Sequence, residues 1–140
     1  DHILLIKQTH HNSGRNYWLV PGGGIEPDET EEACVQREMQ EETNLQVHVR
    51  SLLLEEPGIV GDIYQRRKTY LCSVVSGEAH PGYEPEEDAA AEYAITDIGW
   101  FDLRDSTTWN EQILQDPITY PLLQRIQAVL SYGAVEGTQT

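Results

Sequence analysis

The run Pro21-Gly22-Gly23-Gly24 constrains this chain more than any other feature. Proline has no backbone N–H and glycine has no Cβ, so the run interrupts regular structure on both sides. Before it, Tyr17 to Val20 reads as a short aromatic and apolar strand. After it, Asp28 or Thr30 can cap a helix that runs to about Glu42. Asn44 suits a helix stop, because asparagine tolerates the left-handed conformation better than most residues.

The end of that helix reads Arg37-Glu38-Met39-Gln40-Glu41-Glu42. Glu38, Glu41 and Glu42 fall at i, i+3 and i+4, and a helix turns about 100° per residue, so they share one face. Like charges at this spacing repel one another. Either the face is solvated or a cation sits among the carboxylates. Oxygen-only ligands would select Mg²⁺ or Mn²⁺ over zinc. The upstream glycines would let a strand turn sharply into the helix and bring a backbone carbonyl to such an ion. Glu29 and Arg37 add a second charge pair, with Arg37 placed to neutralise and orient a carboxylate.

The remaining chain alternates short strands and helices without a regular βαβ order, which gives an α+β class. Strands are expected at Ile3 to Lys7, about Leu45 to Glu55, about Arg67 to Val75 and Ile98 to Leu103. A helix is expected from about Pro117 to Leu130, on a stripe of Leu122, Leu123, Ile126, Val129 and Leu130. Gly77 to Ala91 reads as a polar loop. One domain over residues 1–132 and a frayed tail over 133–140 follow. The chain opens on Asp1 rather than Met and enters an apolar run at once, which leaves room for a preceding strand.

With 140 residues and a net charge of −15, the chain argues against a long nucleic-acid partner, which would need clustered cations. Its longest apolar runs, Ile3 to Ile6 and Leu52 to Leu54, are far too short to span a bilayer. Cys34 and Cys72 form no CxxC pair and have no histidine at zinc-ligand spacing. They read as small core residues and free thiols in a reducing cytoplasm.

The segment Gly23 to Leu45 resembles the signature of the Nudix hydrolases, G-x5-E-x7-R-E-U-x-E-E-x-G-U with U a bulky apolar residue. Gly23, Glu29, Arg37, Glu38, Met39, Glu41, Glu42 and Leu45 fall at the required spacing, and Asn44 replaces the final glycine. The flanks Trp18-Leu19-Val20-Pro21 and Trp100-Phe101 are similar to those of the family. The resemblance implies an α/β/α sandwich around a mixed sheet. It further implies hydrolysis of a nucleoside diphosphate linked to another group, with Mg²⁺ or Mn²⁺ required. By position, Glu38, Glu41, Glu42 and the Gly23 carbonyl are the metal-ligand candidates, and Arg37 joins the catalytic set.

The family does not fix the general base. Glu38 or Glu41 could serve, or an acid from the later loop: Glu84, Glu86, Glu87, Asp88 or Glu92. Glu92 is favoured, because it lies eight residues before Trp100, where the chain re-enters the sheet. Arg66 and Arg67, with Lys68, could grip phosphate, and Tyr17, Trp18 or Tyr70 could stack on a base. Packing is the competing role for each aromatic, and a solvated loop the competing role for each later acid. Pro57 and Tyr64 fit no substrate-specific spacing. A small nucleotide-type substrate is expected, no membrane partner, and a homodimer is left open. The rival readings are a non-catalytic nucleotide-binding or sensing module of the same fold, a prenyl diphosphate isomerase and an RNA-cap hydrolase. The second lacks a cysteine with a nearby histidine, and the third lacks a basic stripe.

Overall fold

A computed structural model describes residues 2–58, 66–83 and 93–131. The elements are strands β1 (His2–His10), β2 (Asn16–Leu19), β3 (Gln46–Pro57), β4 (Arg66–Ser76) and β5 (Tyr93–Asp102). The helices are α1 (Glu31–Thr43), α2 (Glu111–Gln115) and α3 (Thr119–Val129), with a 3₁₀ turn at Ser106–Thr108. The α+β expectation is borne out. Among the described residues the strands form a three-stranded sheet in the order β2-β1-β5 and a β3-β4 hairpin, and every pairing is antiparallel.

Strand β1 is the wall between two cores. Successive side chains of a strand point to opposite faces. Leu5 joins Trp18, Leu103, Trp109, Ile113, Leu123 and Ile126 on the side of α2 and α3. Leu4 joins Leu45 and Val47 on the other side, where Val35 and Met39 of α1 pack. Helices thus cover both faces of β1, and α1 is pressed against the start of β3. The aliphatic stripe expected after Pro117 is observed in part as α3: Leu123 and Ile126 are buried, whereas Val129 is exposed.

Strand β5 begins at Tyr93, five residues before the expected Ile98, because Tyr93, Ala94 and Ile95 continue the ladder against His10, Thr9 and Gln8. Helix α2 is an addition to the sequence expectation. Asn110 caps it by accepting from the Ile113 N–H at 2.9 Å, and the buried Trp109 and Ile113 hold it in the core. No described helix is long and apolar enough to cross a membrane.

Candidate active site

Helix α1 starts at Thr30, whose hydroxyl accepts from the Ala33 N–H at 3.1 Å. That satisfies one of the first-turn donors, which have no partner within the helix. Asp28, the other capping candidate, is instead a left-handed residue, φ 64°. At the far end Asn44 adopts φ 64° and ψ 18°, the expected left-handed stop. Its side-chain amide also donates to the His80 carbonyl at 3.0 Å.

Between these caps the signature residues meet around one guanidinium. Arg37 donates from Nε and Nη2 to the two oxygens of Glu29, at 2.7 and 3.0 Å. Its Nη1 donates to Oε1 of Glu38 at 2.9 Å and to Oε1 of Glu41 at 3.0 Å. Nη2 also reaches the Gly24 carbonyl at 3.2 Å. The bidentate pair with Glu29 is the strongest geometry available to these groups. The Glu29 carboxyl is held down to about 2 from 4.5, first by the Arg37 hydrogen bonds and then by the Glu26 N–H. Arg37 is pushed upward, first by the same Glu29 bond, so it stays charged.

The carboxylates are unusually sheltered for their type. Glu38 and Glu42 are 5% and 2% exposed. Glu42 accepts from the Gly22 N–H at 3.0 Å, which ties the glycine run to the last turn of the helix. Gly23 lies so close to Glu38 that an added Cβ would stand 2.6 Å from Oε1. The structure therefore brings together Gly23, Arg37, Glu38, Glu41 and Glu42.

Three side chains of His, Cys, Asp or Glu that could hold a metal by themselves are not found among the described residues. Glu38 and Glu41 do aim oxygens at one shared point, where the Arg37 Nη1 lies, and Glu42 is turned to Gly22. In formal charge, Glu29, Glu38, Glu41 and Glu42 outnumber Arg37 four to one. A hard cation fits this oxygen-rich, acid-rich set in chemistry and charge.

Other expected residues lie apart. Tyr17 on β2 packs edge-on against His10, with ring centroids 5.5 Å apart. Arg66 pairs with Glu55 at 2.8 Å, and Arg67 stands opposite Glu56 in the ladder. Lys68 and Tyr70 bind the two oxygens of Glu31 at the start of α1. The Tyr70 hydroxyl is pushed up to about 12 by burial and then by Glu31. Cys34 is buried, and burial raises its thiol to about 11, in keeping with an inert core position. The expectations for Glu84, Glu86, Glu87, Asp88, Glu92 and Tyr64 fall outside the described residues.

A NUDIX domain family model matches residues 1–120. The chain belongs to the Nudix family. It is 36% identical over 90 residues to the NAD-capped RNA hydrolase NudC of Photobacterium profundum, covering 64% of this chain and 32% of that protein. It is 25% identical over 129 residues to diphosphoinositol polyphosphate phosphohydrolase 2 of Rattus norvegicus, covering 91% of this chain and 63% of that protein. The chain thus spans about a third of the first relative and under two thirds of the second. A crystal structure of an ADP-ribose pyrophosphatase from Streptococcus suis 89-1591 superposes with a TM-score of 0.59 at 22% identity, covering 89% of this chain and 80% of that one. That likeness bears out the Nudix fold. Members of this family generally use divalent metal ions.

Proposed function

We propose that this chain is a divalent-metal-dependent hydrolase that cuts the diphosphate linkage of a nucleoside diphosphate joined to another group. The observation that carries the reading is the gathering of Glu38 and Glu41 on a capped helix around the Arg37 Nη1, which holds one oxygen of each. The names of the relatives support the diphosphate linkage, not the nucleoside. NAD-capped RNA, ADP-ribose and diphosphoinositol polyphosphates share only the phosphoanhydride.

Glu38, Glu41, Glu42 and the Gly23 carbonyl would hold Mg²⁺ or Mn²⁺. Such an ion, when bound, neutralises phosphate charge, polarises phosphorus and makes water a stronger nucleophile. Arg37 keeps Glu38 and Glu41 aimed and stops them repelling each other. A carboxylate accepts the proton of the attacking water, and Glu92 is the proposed acceptor, with Glu41 or Glu38 as the rival. Arg66 and Arg67 are proposed phosphate contacts and Tyr17 a base contact. Arg66 would have to leave Glu55 to serve.

The test is a panel of ADP-ribose, dinucleoside polyphosphates, nucleotide sugars and nucleoside triphosphates with Mg²⁺ and Mn²⁺, read by release of nucleoside monophosphate and phosphate. Turnover that stops with chelator and falls by about 10²–10⁴-fold in Glu92→Gln supports the reading. Full turnover in excess EDTA rules the metal-dependent mechanism out. Near-wild-type rates in Glu92→Gln move the base to α1.

A further inference from the structure

A helix leaves its last four carbonyls without partners in the helix. In α1 three of them are met by one short segment of chain. The His80 N–H donates to the Thr43 carbonyl at 3.0 Å, Gly82 to Glu42 at 2.8 Å and Tyr83 to Glu41 at 2.9 Å. Asn44 returns a bond to the His80 carbonyl, and Ala79 packs on the Leu4, Leu45 and Val47 cluster. A Cβ on Gly82 would lie 1.8 Å from the Glu41 carbonyl oxygen and 2.7 Å from the carbonyl carbons of Glu41 and Glu42. These are backbone atoms, so no side-chain rotation relieves the overlap. Gly77 closes the other end at φ 98°, where a Cβ would stand 2.7 Å from the Asn44 carbonyl.

Two of the three carbonyls held this way belong to Glu41 and Glu42, whose carboxylates stand in the candidate site. We infer that residues 77–83 form a strap that positions the Glu41 and Glu42 carboxylates, and that Gly82 is the positioning residue on which its close approach depends. Final helical turns ordinarily fray. Here the strap fixes the last turn from below, while Gly22 holds Glu42 from above at 3.0 Å. A carboxylate follows any shift of the backbone that carries it, and a misplacement of about 1 Å costs up to about 10²-fold in rate. The inference rests on the functional reading proposed above, since positioning needs a reaction to serve.

The experiment compares Gly82→Ala with Gly14→Ala in the full chain. Gly14 lies between β1 and β2 at φ 72°, and a Cβ there meets nothing within 4 Å. The control therefore carries left-handed strain without touching α1. Mn²⁺ affinity is read by calorimetry, and kcat and KM on the best substrate of the panel. Gly82→Ala is expected to weaken Mn²⁺ binding about tenfold and to lower kcat about 10²-fold, with KM within about twofold. Gly14→Ala is expected to change none of the three. Should Gly82→Ala fail to fold, Tyr83→Pro removes the N–H that serves Glu41 and carries the same expectation. Wild-type Mn²⁺ affinity and kcat in the strap variant overturn the strap and leave hydrolysis standing. A wild-type chain that neither binds Mn²⁺ nor hydrolyses overturns the functional reading, and the strap with it.

Discussion

Arg37→Lys keeps the charge at the centre of the site and removes the fork. An ammonium is a compact point with three donors, whereas the guanidinium presents five in a plane. Arg37 uses that plane to hold Glu29 on one side, through Nε and Nη2, and Glu38 with Glu41 on the other, through Nη1. Lysine can serve one side at a time, so at least two charge-assisted bonds are lost whichever it chooses. Each is worth about 1.5–3 kcal/mol when sequestered. The Arg37 side chain is 22% exposed against 7% for Glu38, so the lower end of that range applies. The expected loss is about 2–4 kcal/mol. Arg37→Met also leaves the carboxylates uncompensated, and should lose more, about 3–5 kcal/mol. Urea denaturation followed by the fluorescence of the buried Trp18 and Trp109 measures both. At roughly 3 °C per kcal/mol for a chain of this size, Arg37→Lys should lower Tm by about 6–12 °C. A lysine variant within about 0.5 kcal/mol of wild type, or a methionine variant no worse than lysine, would refute the hub.

Gly23→Ala should lower kcat by about 10–10²-fold and disturb KM less, because the new Cβ displaces a Glu38 carboxylate that Arg37 keeps from swinging aside; steady-state kinetics decide. Asn44→Gly should cost about 1 kcal/mol by urea midpoint: glycine suits φ 64°, yet the amide bond to His80 is lost and the unfolded chain gains freedom. A stabilised variant would show that the side-chain bond contributes nothing. Glu29 titrates near 2 in the fold against 4.5 unfolded. Protons therefore bind the unfolded chain first, and the contribution of Glu29 is full above pH 4.5 and drains as pH falls toward 2. Wild type should lose stability over that window more steeply than Glu29→Gln, and parallel curves would contradict the pairing.

The parts of the site legible in the sequence are those set by local spacing. Carboxylates four residues apart must share a helix face, threonine before an acidic turn caps it, and asparagine after it takes the left-handed stop. The parts that local spacing does not reveal depend on distant partners. Lys68 and Tyr70 meet Glu31 across 37 and 39 residues, and no local pattern announces that. The strap works through backbone N–H groups, which every residue but proline has, so Gly77 to Ala91 read only as a polar loop. Helix α2 is five residues long, too short for a period to show. The first residues of β5, Tyr93-Ala94-Ile95, are too few before Thr96 and Asp97 to read as a strand until β1 is placed beside them.

That pairing of β1 with β5 also has a consequence in time. His2 lies opposite Asp102, so the sheet joins strands whose ends are 100 residues apart. At about 5–20 residues per second, a ribosome needs about 5–20 s to make the second after the first. During that interval β2 can cover one edge of β1, but the other edge, flanked by Leu4, Leu5 and Ile6, stands open to neighbouring nascent chains. A chain released before Tyr93 never closes that edge.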